Sequence, residues 1–392
     1  MKLAGGASTQ SRVRRPLLPG AVSALGVHRS GVHETVAFQM PCGTTHERRL
    51  LSWVIGQSGT LWGHDGRPEG ITSRLNGAGS SYGNIEEKML ADQLQKIYAG
   101  RLTQDEMSAR FFQSGGEACA AAARVARFVT GRDYIASQGY HGAQLDFAHS
   151  PATGGVPDSA LALHRRFEWG NVEGMFAAAG NAAAVVVEVP ALDDEGAIKS
   201  FLAECRKACD YLSIPLILDD VVGGFRFDLR GSLDRYGVKP DMVCLGKAMS
   251  ACGGVAALIG RADMVNALAD GCFYSTTFGG APDDCYLAAR TVEYLRLDAT
   301  KVYDYLRVIG TALKDGLNEA FRAAGSTARV AGQAERSVLD FCGDEDTRRR
   351  FCSAMIERGI LLDRPQFPTL LHTPEHVEET VAAAREVLSL VI

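Results

Sequence analysis

The chain contains no CxxC pair: its 10 cysteines are scattered, and the nearest two are Cys205 and Cys209. That spacing excludes a zinc knuckle and a disulfide-stapled scaffold. It points to reduced, mostly buried thiols in a cytoplasmic protein with no metal site. No apolar run approaches the ~18 residues of a membrane span. No GxGxxG opens a helix near the start, so the fingerprint of a nicotinamide dehydrogenase is missing. Neither charge sign dominates: 41 Lys and Arg stand against 46 Asp and Glu, a net −5, which argues against nucleic acid or an anionic membrane as partner. Only the first 33 residues are one-sided. They lack Asp and Glu while carrying Lys2, Arg12, Arg14, Arg15 and Arg29. That composition is compatible with a transit peptide, but with no amphipathic face and no secretory core the stretch reads as a frayed basic tail.

What is present is a chain of 392 residues, 46% hydrophobic, enough for a large core. Strand-like and helical runs alternate, which predicts an α/β fold with a mostly parallel sheet. The boundaries read as an N-terminal segment over 1–50, a large domain over 51–285, and a small α+β domain over 286–392. After a turn at Pro19-Gly20 the chain looks irregular to about Arg48, and a glycine-rich stretch from Leu50 to Tyr82 reads as loops and short helices. Asn84 to Tyr98 has helical periodicity, with Leu90, Leu94, Ile97 and Tyr98 on one side. Near the end, Thr373 and Pro374 mark the start of a last helix.

The chemistry concentrates in Leu216–Lys247. A short apolar run, Leu216-Ile217-Leu218, stops at Asp219 and Asp220; a second, Met242-Val243-Cys244-Leu245, leads into Gly246-Lys247. Such runs suit buried parallel strands whose carboxyl ends face a ligand crevice. A lysine there, opposite a buried carboxylate, is what a pyridoxal 5′-phosphate enzyme needs: the amine forms a Schiff base, and the carboxylate keeps the pyridine nitrogen protonated. Each residue alone is ordinary, Asp219 a strand-end turn and Lys247 a solvated loop residue.

Further stretches add to the pair. Ser114-Gly115-Gly116-Glu117 opens an alanine-rich helix closed by Gly131, leaving backbone N–H groups aimed outward as a phosphate cup. Tyr140-His141-Gly142 follows a strand-like segment; the aromatic suits stacking on a planar ring, and His141 alone reads as a hydrogen-bonded structural residue. Ala182 to Val189 is an apolar strand carrying Glu188, and Phe273 to Pro282 is a loop in which Ser275, Thr276 and Thr277 offer hydroxyls.

Taken in order, Ser114-Gly115-Gly116-Glu117-Ala118, Tyr140-His141-Gly142, Asp219 through Arg226, Leu245-Gly246-Lys247 and Ser275 through Gly280 resemble the class III pyridoxal-phosphate-dependent aminotransferases. The glutamate-1-semialdehyde aminomutase subgroup is the nearest in pattern, and the likeness covers nearly the whole chain. It implies the fold type I transferase architecture and a homodimer with its active site at the subunit interface. It implies that Lys247 forms the Schiff base and shuttles protons, Asp219 pairs with the pyridine nitrogen, and Tyr140 stacks on the ring. Ser114, Gly115, Gly116, His141, Glu188 and Val221 belong to the cofactor site by the same token, and Thr277 reaches the phosphate from the other subunit.

The departures are informative. Gly116 stands where the family usually has Thr or Ala, and Gly223 where it usually has Thr. The aminomutase's carboxylate-binding Arg falls near Val27 and His28, and its Trp before a Gly-His pair is Gln57. His28, Gln57 and Ser58 are therefore the expected substrate-pocket residues. With the cofactor residues kept and the substrate residues rebuilt, transamination between a small amine or amino acid and a carbonyl acceptor is the leading expectation. An aminomutase or a racemase would use the same Asp219 and Lys247. A non-catalytic homologue should have lost one of the two.

Overall fold

In the computed structural model the described residues are 17–54, 60–64, 71, 83–147, 153–192, 194–251, 253–363 and 365–391. The chain divides into two compact units, one of residues 1–67 with 300–392 and one of residues 68–299. The described residues 17–54 thus fall in one unit with the segment from 300 onward. The stretch before Arg48 is not irregular. It forms β1 (Ser23–Ser30), β2 (His33–Gln39) and β3 (Thr45–Ser52), an antiparallel meander. The sequence hides it because most of β1 and the first half of β3 are exposed, so no apolar alternation is needed there. Val36 and Phe38 of β2 and Leu50 of β3 share one small core, while Leu51, the next residue along β3, packs in a separate core with Val32 and Trp53.

The second unit opens with α1 (Ile85–Tyr98), where Asn84 and Glu87 form a reciprocal capping box. Its centre is a seven-stranded sheet. The strands are β4 (Met107–Phe112), β5 (Tyr134–Gln138), β6 (His164–Arg166), β7 (Ala182–Glu188), β8 (Leu216–Asp219), β9 (Met242–Leu245) and β10 (Ala256–Arg261), in the order β4-β10-β9-β8-β7-β5-β6. Pairs β9-β8, β8-β7, β7-β5 and β5-β6 are parallel, and β10 runs antiparallel to both its neighbours. Continuous apolar runs make the central strands because both faces are covered: every side chain from Ala182 to Val187 is fully buried. Helices α2 (Gly115–Thr130), α3 (Val172–Ala179), α4 (Glu195–Leu212) and α5 (Pro282–Leu297) belong to this unit. The small side chains of Ala118 and Ala121–Ala123 let α2 lie close on the sheet, in one core with Phe112, Ala184, Ile217 and Leu258.

The remainder of the first unit holds α6 (Ala299–Ala323), the hairpin β11 (Arg329–Gln333) and β12 (Arg336–Asp340), α7 (Glu345–Glu357), β13 (Ile360–Leu361) and α8 (Pro374–Val391). β13 pairs in parallel with β3 and ties the two ends of the chain into one sheet. Pro374 takes the first position of α8, as its missing N–H and fixed φ favour.

Candidate active site

The parallel strands of the second unit end in one row. Glu188 of β7 pairs in register with Asp219 of β8, and Asp219 with Cys244 of β9. Three residues beyond Cys244 the chain makes a single 3-10 turn, Lys247–Met249, and Lys247 enters it with φ +44°. A left-handed conformation is costly for a non-glycine residue, of the order of 1–3 kcal/mol, and is kept where the surrounding structure dictates side-chain direction. Lys247 is half-buried.

Asp219 is 4% exposed. Its Oδ2 lies 2.7 Å from Nδ1 of His141, and its Oδ1 accepts the N–H of Val221 at 3.2 Å. Burial alone would raise its pKa. The hydrogen bond and charge of His141, the Val221 N–H and the ammonium of Lys247 outweigh that, and the carboxyl stays below its ordinary range. His141 is itself buried, edge-on to Phe147 at 5.0 Å between ring centroids. Behind the pair is a thiol that sequence reading did not single out. Ligand atoms of Cys119, His141 and Asp219 all lie within 4.8 Å of one another. A hydrogen bond with Cys244, burial and the charge of Asp219 push the Cys119 thiol well above its ordinary pKa. Held protonated, the thiol stands as a neutral neighbour of the ionised carboxylate.

At the start of α2, Ser114 and Glu117 form a second capping box. The Ser114 hydroxyl accepts the Glu117 N–H at 3.3 Å, and Glu117 Oε2 accepts the N–H groups of Gln113 and Ser114 at 3.0 Å each. The N–H groups of Gly115 and Gly116 then remain without an acceptor among the described residues, pointing out of the helix start with the dipole behind them. Gly115 also has a steric reason. A Cβ there would lie 2.6 Å from Cγ1 and 2.7 Å from Cγ2 of Val221, the residue whose N–H holds Asp219. The helix start and the carboxylate are thus joined through Val221.

Tyr140 donates its backbone N–H to Glu188 Oε2 at 3.1 Å and leaves its ring 54% exposed. Thr277 is exposed in the turn before α5; the neighbouring Thr276 has the buried hydroxyl, and its Oγ1 has no hydrogen-bond partner among the described residues. Of the residues expected from sequence, the structure therefore gathers Asp219, His141, Val221, Gly115 and Lys247, with Glu188 and Tyr140 along the same row of strand ends. His28 is exposed on β1, in the other unit. Gln57 and Ser58 lie outside the described residues.

A protonatable amine, a carboxylate kept ionised and two free N–H donors form a set that can hold an anionic, nitrogen-containing aromatic group by both ends. The sequence profile of the aminotransferase class-III family matches residues 159–387. A glutamate-1-semialdehyde 2,1-aminomutase of Thermomicrobium roseum is 30% identical, over 87% of this chain and 87% of the relative. Among solved structures, a transaminase with pyridoxal phosphate bound superposes with a TM-score of 0.82 at 20% identity, covering 99% of this chain and 95% of the other. An omega-transaminase from Sphaerobacter thermophilus gives 0.82 at 21% identity with the same coverage. The fold is that of the fold type I pyridoxal-phosphate transferases, as the sequence pattern led one to expect.

Proposed function

The chain belongs to the class III aminotransferase family, and from that premise we propose that it moves an amino group between a small amine or amino acid and a carbonyl acceptor. The cofactor of this family is pyridoxal 5′-phosphate, and the residues present fit it. Gly115 and Gly116 offer unpaired N–H groups at the helix start, where a side chain on Gly115 would strike Val221. Asp219 offers a buried carboxylate held in its ionised form. The observation that carries the reading is this ionised, hydrogen-bonded Asp219 within the field of the Lys247 ammonium.

When bound, the cofactor supplies an electron sink that acidifies the Cα–H of an amine joined to it. The chain's own residues do the rest. Asp219 stabilises positive charge on a ring nitrogen, with both its oxygens fixed, one by His141 and one by the Val221 N–H. Lys247 would hold the cofactor through its Nζ, and the same amine would carry the substrate proton. Gly115 and Gly116 bind the phosphate, with Ser114 fixing the helix start that presents them. Tyr140 presents an aromatic face, its backbone anchored on Glu188. We assign Thr277 to the phosphate of a partner subunit in a homodimer; a fully active monomer in sedimentation would remove that role. His28, Gln57 and Ser58 are proposed for the substrate pocket because they align with the subgroup's substrate positions. An H28A variant with unchanged KM and donor preference would remove His28.

An amino shift within one substrate is the second reading, favoured by the name of the Thermomicrobium relative. One experiment separates them. The cofactor-loaded protein is mixed with a panel of amine donors in D2O without a carbonyl acceptor. Transamination gives carbonyl product and pyridoxamine phosphate in equal amounts, with loss of the yellow absorbance. A positional isomer of the donor, with little net carbonyl, would instead identify an aminomutase. Deuterium at the donor's α-carbon without carbonyl product would identify a racemase.

A further inference from the structure

The start of α2 has a notch in it, and one side chain fills that notch without being paired. A Cβ on Gly116 would lie 2.4 Å from Oε1 and 3.2 Å from Nε2 of Gln144. A Cβ on Gly142, whose φ is +107°, would lie 2.7 Å from the same Oε1 and 2.6 Å from Gly116 Cα. Two glycines thus make room for one amide. Gln144 Oε1 is shut off from solvent and has no hydrogen-bond partner among the described residues. A buried amide left unpaired is costly, and packing alone would have selected an apolar side chain there. The terminal torsion of glutamine is broad and two-fold, so oxygen and NH2 exchange places within the same volume. With NH2 in the notch, the amide becomes a donor beside Gly116, whose own N–H and that of Gly115 are also free.

We propose that Gln144 is a phosphate ligand of the cofactor cup, its side-chain amide donating to the anion beside the Gly115 and Gly116 N–H groups. The assignment rests on the reading of the α2 start as the phosphate site. With glycines at both 115 and 116, the first two positions of α2 offer an anion only their backbone N–H groups. A third donor on the adjacent loop supplies the direction that the bare glycines cannot.

The test compares pyridoxal 5′-phosphate with pyridoxal, which lacks the phosphate, as ligands of the cofactor-free protein, in spectrophotometric titrations. Q144A and Q144E are measured beside the wild type. Q144A should weaken pyridoxal phosphate binding roughly 10-fold or more, the scale of one hydrogen bond to a charged group, and leave pyridoxal affinity unchanged. Q144E keeps the shape and puts a carboxylate against the phosphate, so it should weaken the phosphorylated ligand further while still binding pyridoxal. Because it is nearly isosteric, it keeps the test decisive if Q144A folds poorly. A wild-type preference for the phosphorylated ligand that survives in both variants would overturn the assignment of Gln144 alone. Parallel loss of both ligands would make Gln144 a packing residue and overturn it too. Equal affinity of the wild type for the two ligands would overturn the phosphate-cup reading on which the assignment stands.

Discussion

His141 Nδ1 and Asp219 Oδ2 lie 2.7 Å apart, and both residues are withdrawn from solvent although 78 positions separate them in the chain. Burial works against an ionised Asp219, and the His141 hydrogen bond is foremost among the effects that reverse it. Removing the imidazole therefore moves the Asp219 pKa up, toward the ordinary carboxylate range. In an H141A or H141F variant the acid limb of the kcat/KM profile should shift to higher pH. Activity at neutral pH should fall by roughly 10²–10³, the scale of a lost electrostatic contact. A profile that drops in height without moving its acid limb would show that His141 acts on something other than Asp219.

The contact of Gly115 with Val221 makes a second, independent prediction. G115A places a methyl 2.6 Å from Val221 Cγ1, and Val221 can yield only by dragging the N–H that holds Asp219. Overpacking of this kind costs about 1–3 kcal/mol. Cofactor affinity should fall with it, because carboxylate and helix start move together. In the double variant G115A/V221A the volume is returned, so stability and affinity should recover more than the single effects allow by addition. Thermal melts and cofactor titrations of the four proteins of this cycle check it. Simple additivity would mean that the two residues are not coupled.

The parts of this site legible in the sequence are those made by local pattern. β8 and β9 announce themselves because buried parallel strands are short apolar runs, and the polar residues that end them, Asp219 and Gly246-Lys247, then stand at the crevice. The start of α2 is legible because serine caps and glycines carry their function in the backbone. The Cys119 neighbour of Asp219 is not legible, and neither is the pairing of Asp219 with His141, a residue marked only by its family motif. They come from α2 and from the loop after β5, and only the folded sheet brings them within reach. Gln144 is hidden for the same reason, since an exposed-looking polar residue in a loop says nothing about two glycines opposite it. The meander β1–β3 is not legible because most of β1 and the first half of β3 are exposed and lack the alternation that a covered face imposes.

Asp241 opens the strand that leads to Lys247, and it pins the far end of the sheet. It is 3% exposed and accepts from the Leu216 N–H at 2.9 Å, from Thr103 at 2.6 Å and from Arg206 at 2.7 Å, with Arg261 at 3.2 Å. Two guanidinium groups and the first N–H of β8 thus converge on one carboxylate, with Asp210 also pairing Arg206 and Asp263 also pairing Arg261. Truncating a buried partner of this kind costs about 3–5 kcal/mol, because the remaining charges stay desolvated. D241A should lower the urea midpoint strongly, while cofactor affinity in the folded fraction stays within a few-fold of wild type. A variant that keeps its stability and loses its cofactor would place Asp241 in the site, which its position at the amino end of β9 does not support.

The acid sensitivity of the first unit follows from His372. Its ring stacks on Trp53 at 4.0 Å between centroids, and its Nδ1 accepts the Thr369 N–H at 3.0 Å. Its Nε2 is 3.2 Å from the Ser52 carbonyl, which fixes the neutral tautomer with the proton on Nε2. Burial, reinforced by the nearby His376, lowers its pKa from 6.5 to about 3. The unfolded chain therefore binds a proton that the folded chain refuses. The contribution of His372 is intact above pH ~6.5 and is lost progressively as pH falls toward ~3, at a slope of about 1.4 kcal/mol per pH unit. H372Q removes the titrating group at some cost in stability at pH 7. Its urea midpoint should then fall less steeply than that of the wild type between pH 6.5 and 4.5, followed by the fluorescence of the stacked Trp53. Equal slopes for the two proteins would place the acid-sensitive proton elsewhere, His33 being the next candidate, since burial and Arg49 lower its pKa as well.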